Sequence, residues 1–228
     1  VQEQGGLITK DDLGRWRVRP GMARMTRSVL LGDDHAATTR MLRIGSIVVA
    51  LLLTVLVWAG AAATGRADTW LLALALVTGT ALVTSGVIGW RRRPGSRIGP
   101  LLVVAGLLFL ANGLQVTPWP VPFTLGIVVG ESFLNVLGLA LLTFPAGRTS
   151  TRLESVLAVV IVGLILPGWV LPSLFSDPFD TCPSCPRNLV LLADVPTVLD
   201  ALALVATIGG VVAAAGFVVV LSGKWRSA

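Results

Sequence analysis

Few residues in this chain have the chemistry to react, to coordinate or to hold a charge where charge is costly. Cys182 and Cys185 stand in the stretch Asp180-Thr-Cys-Pro-Ser-Cys-Pro-Arg-Asn188. A C-x-x-C pair can close a disulfide as a structural staple, exchange disulfides as a redox centre, or supply half of a zinc site. Neither a second pair nor a neighbouring histidine completes a zinc set, and His35, the single histidine, reads as a solvated residue between Asp34 and Ala36. Glu131 is of another kind, because it interrupts an apolar run. A charge near the centre of such a run costs about 2.5–3.5 kcal/mol in a bilayer and is by default a functional hypothesis. Asn135 follows it one helical turn later on the same face. Asn112 and Gln115 close the preceding apolar run and are joined to it by the short turn Thr117-Pro-Trp-Pro-Val-Pro122. This set permits a buried interhelical hydrogen bond with Glu131 protonated, or a site for a proton, an ion or a ligand. No P-loop, H-E-x-x-H, G-x-S-x-G, kinase glycine-rich loop or pair of catalytic carboxylates occurs, so no catalytic residue and no metal site is assigned.

The elements that must position these residues follow from composition. The 228 residues are 54% hydrophobic and 13% charged, with a mean hydropathy of +0.83, whereas soluble domains hold about 45–50% and about 25%. A water-soluble domain is excluded. Six apolar stretches have the roughly 20-residue length that crosses about 30 Å of hydrocarbon as a helix: 44–63, 69–90, 98–116, 123–144, 156–175 and 201–221. Only helices satisfy every backbone group inside lipid at this length, since barrel strands are about half as long. The expected fold is all-α, a polytopic six-helix transmembrane bundle. Glu131 is the only ionisable residue within these spans and sits about 12 Å below the start of span four, at 1.5 Å per residue.

Basic residues orient the bundle. Lys10, Arg15, Arg17, Arg19, Arg24, Arg27, Arg40 and Arg43 precede span one. Arg91, Arg92, Arg93 and Arg97 follow span two, Arg148 and Arg152 follow span four, and Lys224 and Arg226 follow span six. Only Arg66 and Arg187 fall on the other side. The positive-inside rule therefore predicts cytoplasmic termini in a multi-pass protein of the plasma membrane. Residues 1–43 form a basic leader without core-forming periodicity, expected to be disordered and not a cleavable signal peptide. Residues 222–228 form a cytoplasmic tail. The cysteines then lie in an external loop, 176–200, where Asp177, Asp180, Asp194 and Asp200 outweigh Arg187, and where a disulfide persists. The net charge of +6 belongs to lipid headgroups, with no nucleic acid implied. Trp70, Trp90, Trp119 and Trp225 mark span ends as interfacial anchors. Pro167 and Pro172 predict a kinked outer end of span five, and Gly209, Gly210 and Gly216 predict close packing on span six.

Three short stretches give the chain a likeness. Arg93-Pro-Gly-Ser-Arg-Ile-Gly-Pro-Leu-Leu102 resembles the R-P-x-N-x-I-G-W-L-L opening of a span in the N-terminal membrane region of actinobacterial sensor histidine kinases. Phe144-Pro-Ala-Gly-Arg148, followed by Arg152, is similar to the F-P-x-G-R element at a later cytoplasmic span end in that family. Cys182-Pro-Ser-Cys-Pro-Arg-Asn188 is similar to its external C-x-x-C-P-x-N element. The departures are Ser96 in place of Asn and Pro100 in place of Trp. The resemblance implies a sensing, signal-transmitting module of a two-component system, here a truncated one. A dimerisation helix with its phosphoacceptor His and an ATP-binding domain would follow it. ATP with Mg, homodimerisation and a response regulator would enter only through that missing kinase core, and no residue here inherits a catalytic role. Two other readings compete. One is a small permease or channel using Glu131 and Asn135, against which the lack of internal repetition weighs. The other is a membrane thiol oxidoreductase using Cys182 and Cys185, for which a second cysteine pair is missing.

Overall fold

A computed structural model describes the backbone of residues 8–10, 16–18, 20–65, 68–144, 147–178 and 182–226, and the side chains of 37–65, 68–144, 147–178 and 182–224. His35, Trp225 and Arg226 lie outside the described side chains, and Arg66 and Asp180 lie outside the described residues altogether. The chain divides into two units, Val1–Gly45 and Ser46–Ala228. The first contains a short antiparallel hairpin of β1 (Ile8–Lys10) and β2 (Trp16–Val18), with Thr9 opposite Arg17. It also contains the start of α1, which runs continuously over Pro20–Thr64. The leader therefore carries local secondary structure although its sequence shows no periodicity.

The second unit is helical. α1 is followed by α2 (Thr69–Arg92), α3 (Ile98–Asn112) with a 3₁₀ turn at Gly113–Val116, α4 (Pro120–Val129), α5 (Ser132–Leu142), α6 (Arg152–Gly163), a π turn at Leu166–Val170, α7 (Leu171–Phe175) and α8 (Pro196–Arg226). These make six helical segments long and apolar enough to cross a membrane, at Ala37–Thr64, Thr69–Arg92, Ile98–Val116, Pro120–Leu142, Arg152–Phe175 and Pro196–Lys224. The six-span, all-α bundle read from composition is the fold.

Four spans start earlier than their apolar runs, span one at Ala37 and spans four, five and six at Pro120, Arg152 and Pro196, the last three for local reasons. Pro120 and Pro196 occupy first-turn positions, where a missing N–H costs nothing and the fixed φ favours the helix. Span five starts at Arg152 because Thr151, in extended conformation, accepts a hydrogen bond from the Glu154 N–H at 3.1 Å as an N-cap.

Close approach by glycine holds α2 to α3. Gly86 lies on the Val103 backbone, Gly106 on Val83, Gly99 on Trp90 and Gly79 on Leu110, in each case with no room for a Cβ. The two helices thus run antiparallel with backbones nearly touching, as small-residue membrane interfaces do. Ala50, Val83, Val87, Val103 and Leu110 form the core there. A second core of Leu142, Leu157, Ile161, Ala213 and Val220 joins α5, α6 and α8. Gly209 receives Leu164 and Gly216 receives Leu157, while Gly210 faces open space. The outward faces are bare hydrocarbon: Leu52 is 64% exposed, Val159 73% and Val211 65%. Water would not tolerate that surface, and a bilayer covers it.

Candidate functional site

Span four, read from the sequence as one uninterrupted helix over 123–144, is two helices. Gly130 takes φ +47° and ψ −140° and Glu131 takes φ −92° and ψ 24°, which ends α4 and restarts the chain as α5. Only glycine adopts the Gly130 conformation at little cost. The indole of Trp169 packs against this glycine in the space that a Cβ would need. Trp169 itself sits in the π turn of span five. Pro167 lacks the N–H of a regular ladder, and the Leu171 N–H reaches back to the Leu166 carbonyl. Two broken helices thus face one another. Irregular backbone at membrane depth is tolerated where it is buried in protein or lines a cavity, and here a groove of about 550 Å³ opens between Gln115, Glu131, Trp169, Pro172 and Ser176.

The groove gathers part of the predicted polar set. The Gln115 amide donates to Asn112 Oδ1 at 2.6 Å and to the Gly126 carbonyl at 3.1 Å, which pins the end of span three to α4. Glu131 is exposed to the groove and its carboxylate has no hydrogen bond or ion pair among the described residues. Asn135 goes elsewhere. Its amide donates to the Ile161 carbonyl at 2.9 Å, and its Oδ1 accepts from Trp169 Nε1 at 3.4 Å. Both residues stay at the start of α5, Glu131 as its N-cap and Asn135 four residues on, but Asn135 spends its hydrogen bonds on span five and no hydrogen bond joins it to Glu131 among the described residues.

In the loop after span five, Cys182 and Cys185 form a disulfide with Cα atoms 5.3 Å apart. The third motif's Asn188, 2% exposed, ties this turn down. Its amide donates to the carbonyls of Ser173 at 2.7 Å and Ser176 at 3.4 Å, and its Oδ1 accepts from the Val190 N–H at 3.1 Å. The Leu189 N–H donates to Thr124 Oγ1 at 3.0 Å and the Leu192 N–H to the Leu174 carbonyl at 2.8 Å. The disulfide turn is thereby fixed to the ends of spans four and five.

At the opposite end of the bundle the two arginine motifs meet. Gly147, at φ +72°, rests against Ser96 and the Arg97 backbone with no space for a side chain. Arg93, Arg97, Arg148 and Arg152 are all exposed around this contact. Beside it lies a node to which hydropathy and charge counts do not point. Glu154 is 2% exposed. Its Oε2 accepts from the Ser150 N–H at 2.6 Å and the Ser150 hydroxyl at 2.9 Å, and its Oε1 pairs with Lys224 Nζ at 3.2 Å. Lys224 also donates to the carbonyls of Leu142 at 2.7 Å and Phe144 at 3.1 Å. One lysine at the end of span six thus holds the end of span four and the start of span five. The spacing Thr151-x-x-Glu154 is a capping-box signature, so this glutamate was legible as a helix start.

Fold and site together define a multi-pass helical membrane protein whose spans four and five are broken midway and are tied at one end to the disulfide loop and at the other to Lys224 of span six. No protein-family model, curated protein or solved structure matches the chain.

Proposed function

We propose that this chain is a membrane sensor and signal-transmitting module of the kind found in two-component sensor histidine kinases, with both termini in the cytoplasm of the plasma membrane. One observation carries the reading: spans four, five and six are bonded together at the Lys224 end, and the disulfide loop that leads into span six is bonded to spans four and five at the other, while spans four and five are broken between those ends at Gly130 and at the π turn. A strained or regrouped Cys182–Cys185 turn pulls on Ser173 and Thr124. Clamped outer ends and jointed middles pass that displacement to the Glu154–Lys224 node. Packed interfaces transmit such movement as shifts between discrete arrangements. On this reading homodimer formation, ATP with Mg and a response regulator belong to a kinase core in a longer polypeptide.

The experiment is hydrogen–deuterium exchange on the full chain in nanodiscs, with the disulfide intact and after reduction by a membrane-impermeant phosphine. Exchange is expected to change in 182–195 and also in 142–155 and 220–226. A change confined to the loop would sink the transmitting role. The Glu131 groove favours a second reading, a small permease or channel, since an unpartnered carboxylate between two broken helices is the arrangement that transporters use for ions. Proton flux into proteoliposomes that is abolished by Glu131→Gln would support it, and unchanged flux would remove it.

A further inference from the structure

Where the two arginine-bearing turns meet, α3, α5 and α6 leave an open cleft of about 1150 Å³. Its polar end is formed by Arg97, Arg148, Thr149 and Ser155, and its floor by Leu101, Val159 and Val162. The guanidiniums of Arg97 and Arg148 are exposed and meet no hydrogen-bond or ion-pair partner among the described residues. No carboxylate among the described residues lines the cleft. The nearest in sequence, Glu154, is turned away into its bonds with Ser150 and Lys224. Two uncompensated cations therefore stand over an apolar trough.

We propose that this cleft is a binding site for one anionic phospholipid, its phosphate held by Arg97 and Arg148 and an acyl chain laid along the floor. The guanidinium fork suits phosphate oxygens bidentately, and the Thr149 hydroxyl, which accepts from Ser155 Oγ at 3.1 Å and keeps its own proton to donate, lines the same cleft. From Ser155 to Gly163, which closes the cleft, α6 descends about 12 Å at 1.5 Å per residue. That depth carries the floor from the headgroup layer into the hydrocarbon, where Val159 is 73% exposed. A free phosphate would use only the polar end, and a neutral lipid only the floor. An anionic lipid uses both. The contact of Gly147 with Ser96 and Arg97 sets the spacing of the two arginines, so the bound lipid bridges the turn before α3 and the turn before α6.

The test is native mass spectrometry of the full chain in detergent, titrated with phosphatidylglycerol or phosphatidylcholine of the same acyl chains. One phosphatidylglycerol per chain is expected, bound at least tenfold more tightly than phosphatidylcholine. Arg97→Gln with Arg148→Gln is expected to weaken it about thirtyfold, from the usual worth of a basic residue at an anionic headgroup. Arg91→Gln with Arg92→Gln, outside the cleft, should change nothing. Val159→Trp, which fills the floor and keeps both arginines, should displace the lipid. Glycerol 3-phosphate at millimolar concentration should not compete with lipid on the unmodified protein. Equal binding of the two lipids would overturn the proposal, as would competition by glycerol 3-phosphate, which would make this a free-phosphate site. A dimer that excludes lipid would overturn it too. The lipid comparison and the competition need no variant, so they decide the proposal even if the double substitution misfolds.

Discussion

The Glu154–Lys224 pair should behave as a coupled unit, and a double-mutant cycle measures this directly. The Glu154 side chain is 3% exposed and that of Lys224 31%. Breaking a fully buried pair from one side costs about 3–5 kcal/mol, and a fully exposed pair is worth about 0–1 kcal/mol. With one partner a third exposed, a coupling energy of about 1–2 kcal/mol is expected between these limits. The single variants cost more than that. Lys224→Met also surrenders the bonds to the Leu142 and Phe144 carbonyls, about 1 kcal/mol each, for a total of about 3 kcal/mol. Glu154→Gln keeps an oxygen for Ser150 but turns an amide N–H₂ toward the ammonium, at a cost of about 2–3 kcal/mol. The double variant should therefore be more stable than the sum of the singles implies. Equilibrium unfolding in mixed micelles, followed by tryptophan fluorescence, gives all four corners. A coupling below about 0.5 kcal/mol, the level of additive distant sites, would mean that Lys224 is held by the carbonyls alone and that spans five and six are not joined by charge.

Three further outcomes follow from individual contacts. Asn188→Ala removes the partner of the buried Ser173 carbonyl and of the half-buried Val190 N–H, so unfolding should become easier by about 2–3 kcal/mol. Amide exchange in 189–192 should accelerate, and unaltered exchange would refute the anchoring role. Gly147→Ala forces a side chain into φ +72° against Ser96, and a loss of about 1–3 kcal/mol is expected as a lower midpoint in the same titration. Asn135→Leu removes the bond to the Ile161 carbonyl, and about 0.6–2 kcal/mol should be lost with no change in access to Glu131, measured by carbodiimide labelling.

The spans were legible because lipid makes one demand, about twenty apolar residues in a helix, and six stretches meet it. Their ends were less so. A hydropathy reading stops at the first charged residue, but a helix starts where its N–H groups find partners or need none, at Thr151, Pro120 and Pro196. A span five that starts at 156 leaves Glu154, the best-bonded carboxylate among the described residues, in the loop before it. The break at Gly130 carried no local mark, since a glycine in an apolar run is ordinary in membrane helices. What makes it a break is Trp169, a residue of the next span whose ring lies over the glycine. Pro167 and Pro172 did announce an irregular span five, yet not that its irregularity would face the one in span four.

Two residues of the turn before α3 meet its local requirements in different ways. Ser96 accepts a hydrogen bond from the Ile98 N–H at 3.3 Å, a turn-closing contact to the residue two ahead. Pro100 sits in the first turn of α3, where the N–H of a third helical residue has no carbonyl to reach. The helix loses no hydrogen bond, and its first one runs from the Leu101 N–H to the Arg97 carbonyl at 3.1 Å. What the turn must do is present the backbone of Ser96 and Arg97 to Gly147. A larger residue at 147 would collide with that backbone, and a residue other than glycine would be strained at its φ. The spacing of Arg97 and Arg148 thus rests on one glycine, which makes the contact between the motifs, more than either motif by itself, the feature on which a function at this end of the bundle depends.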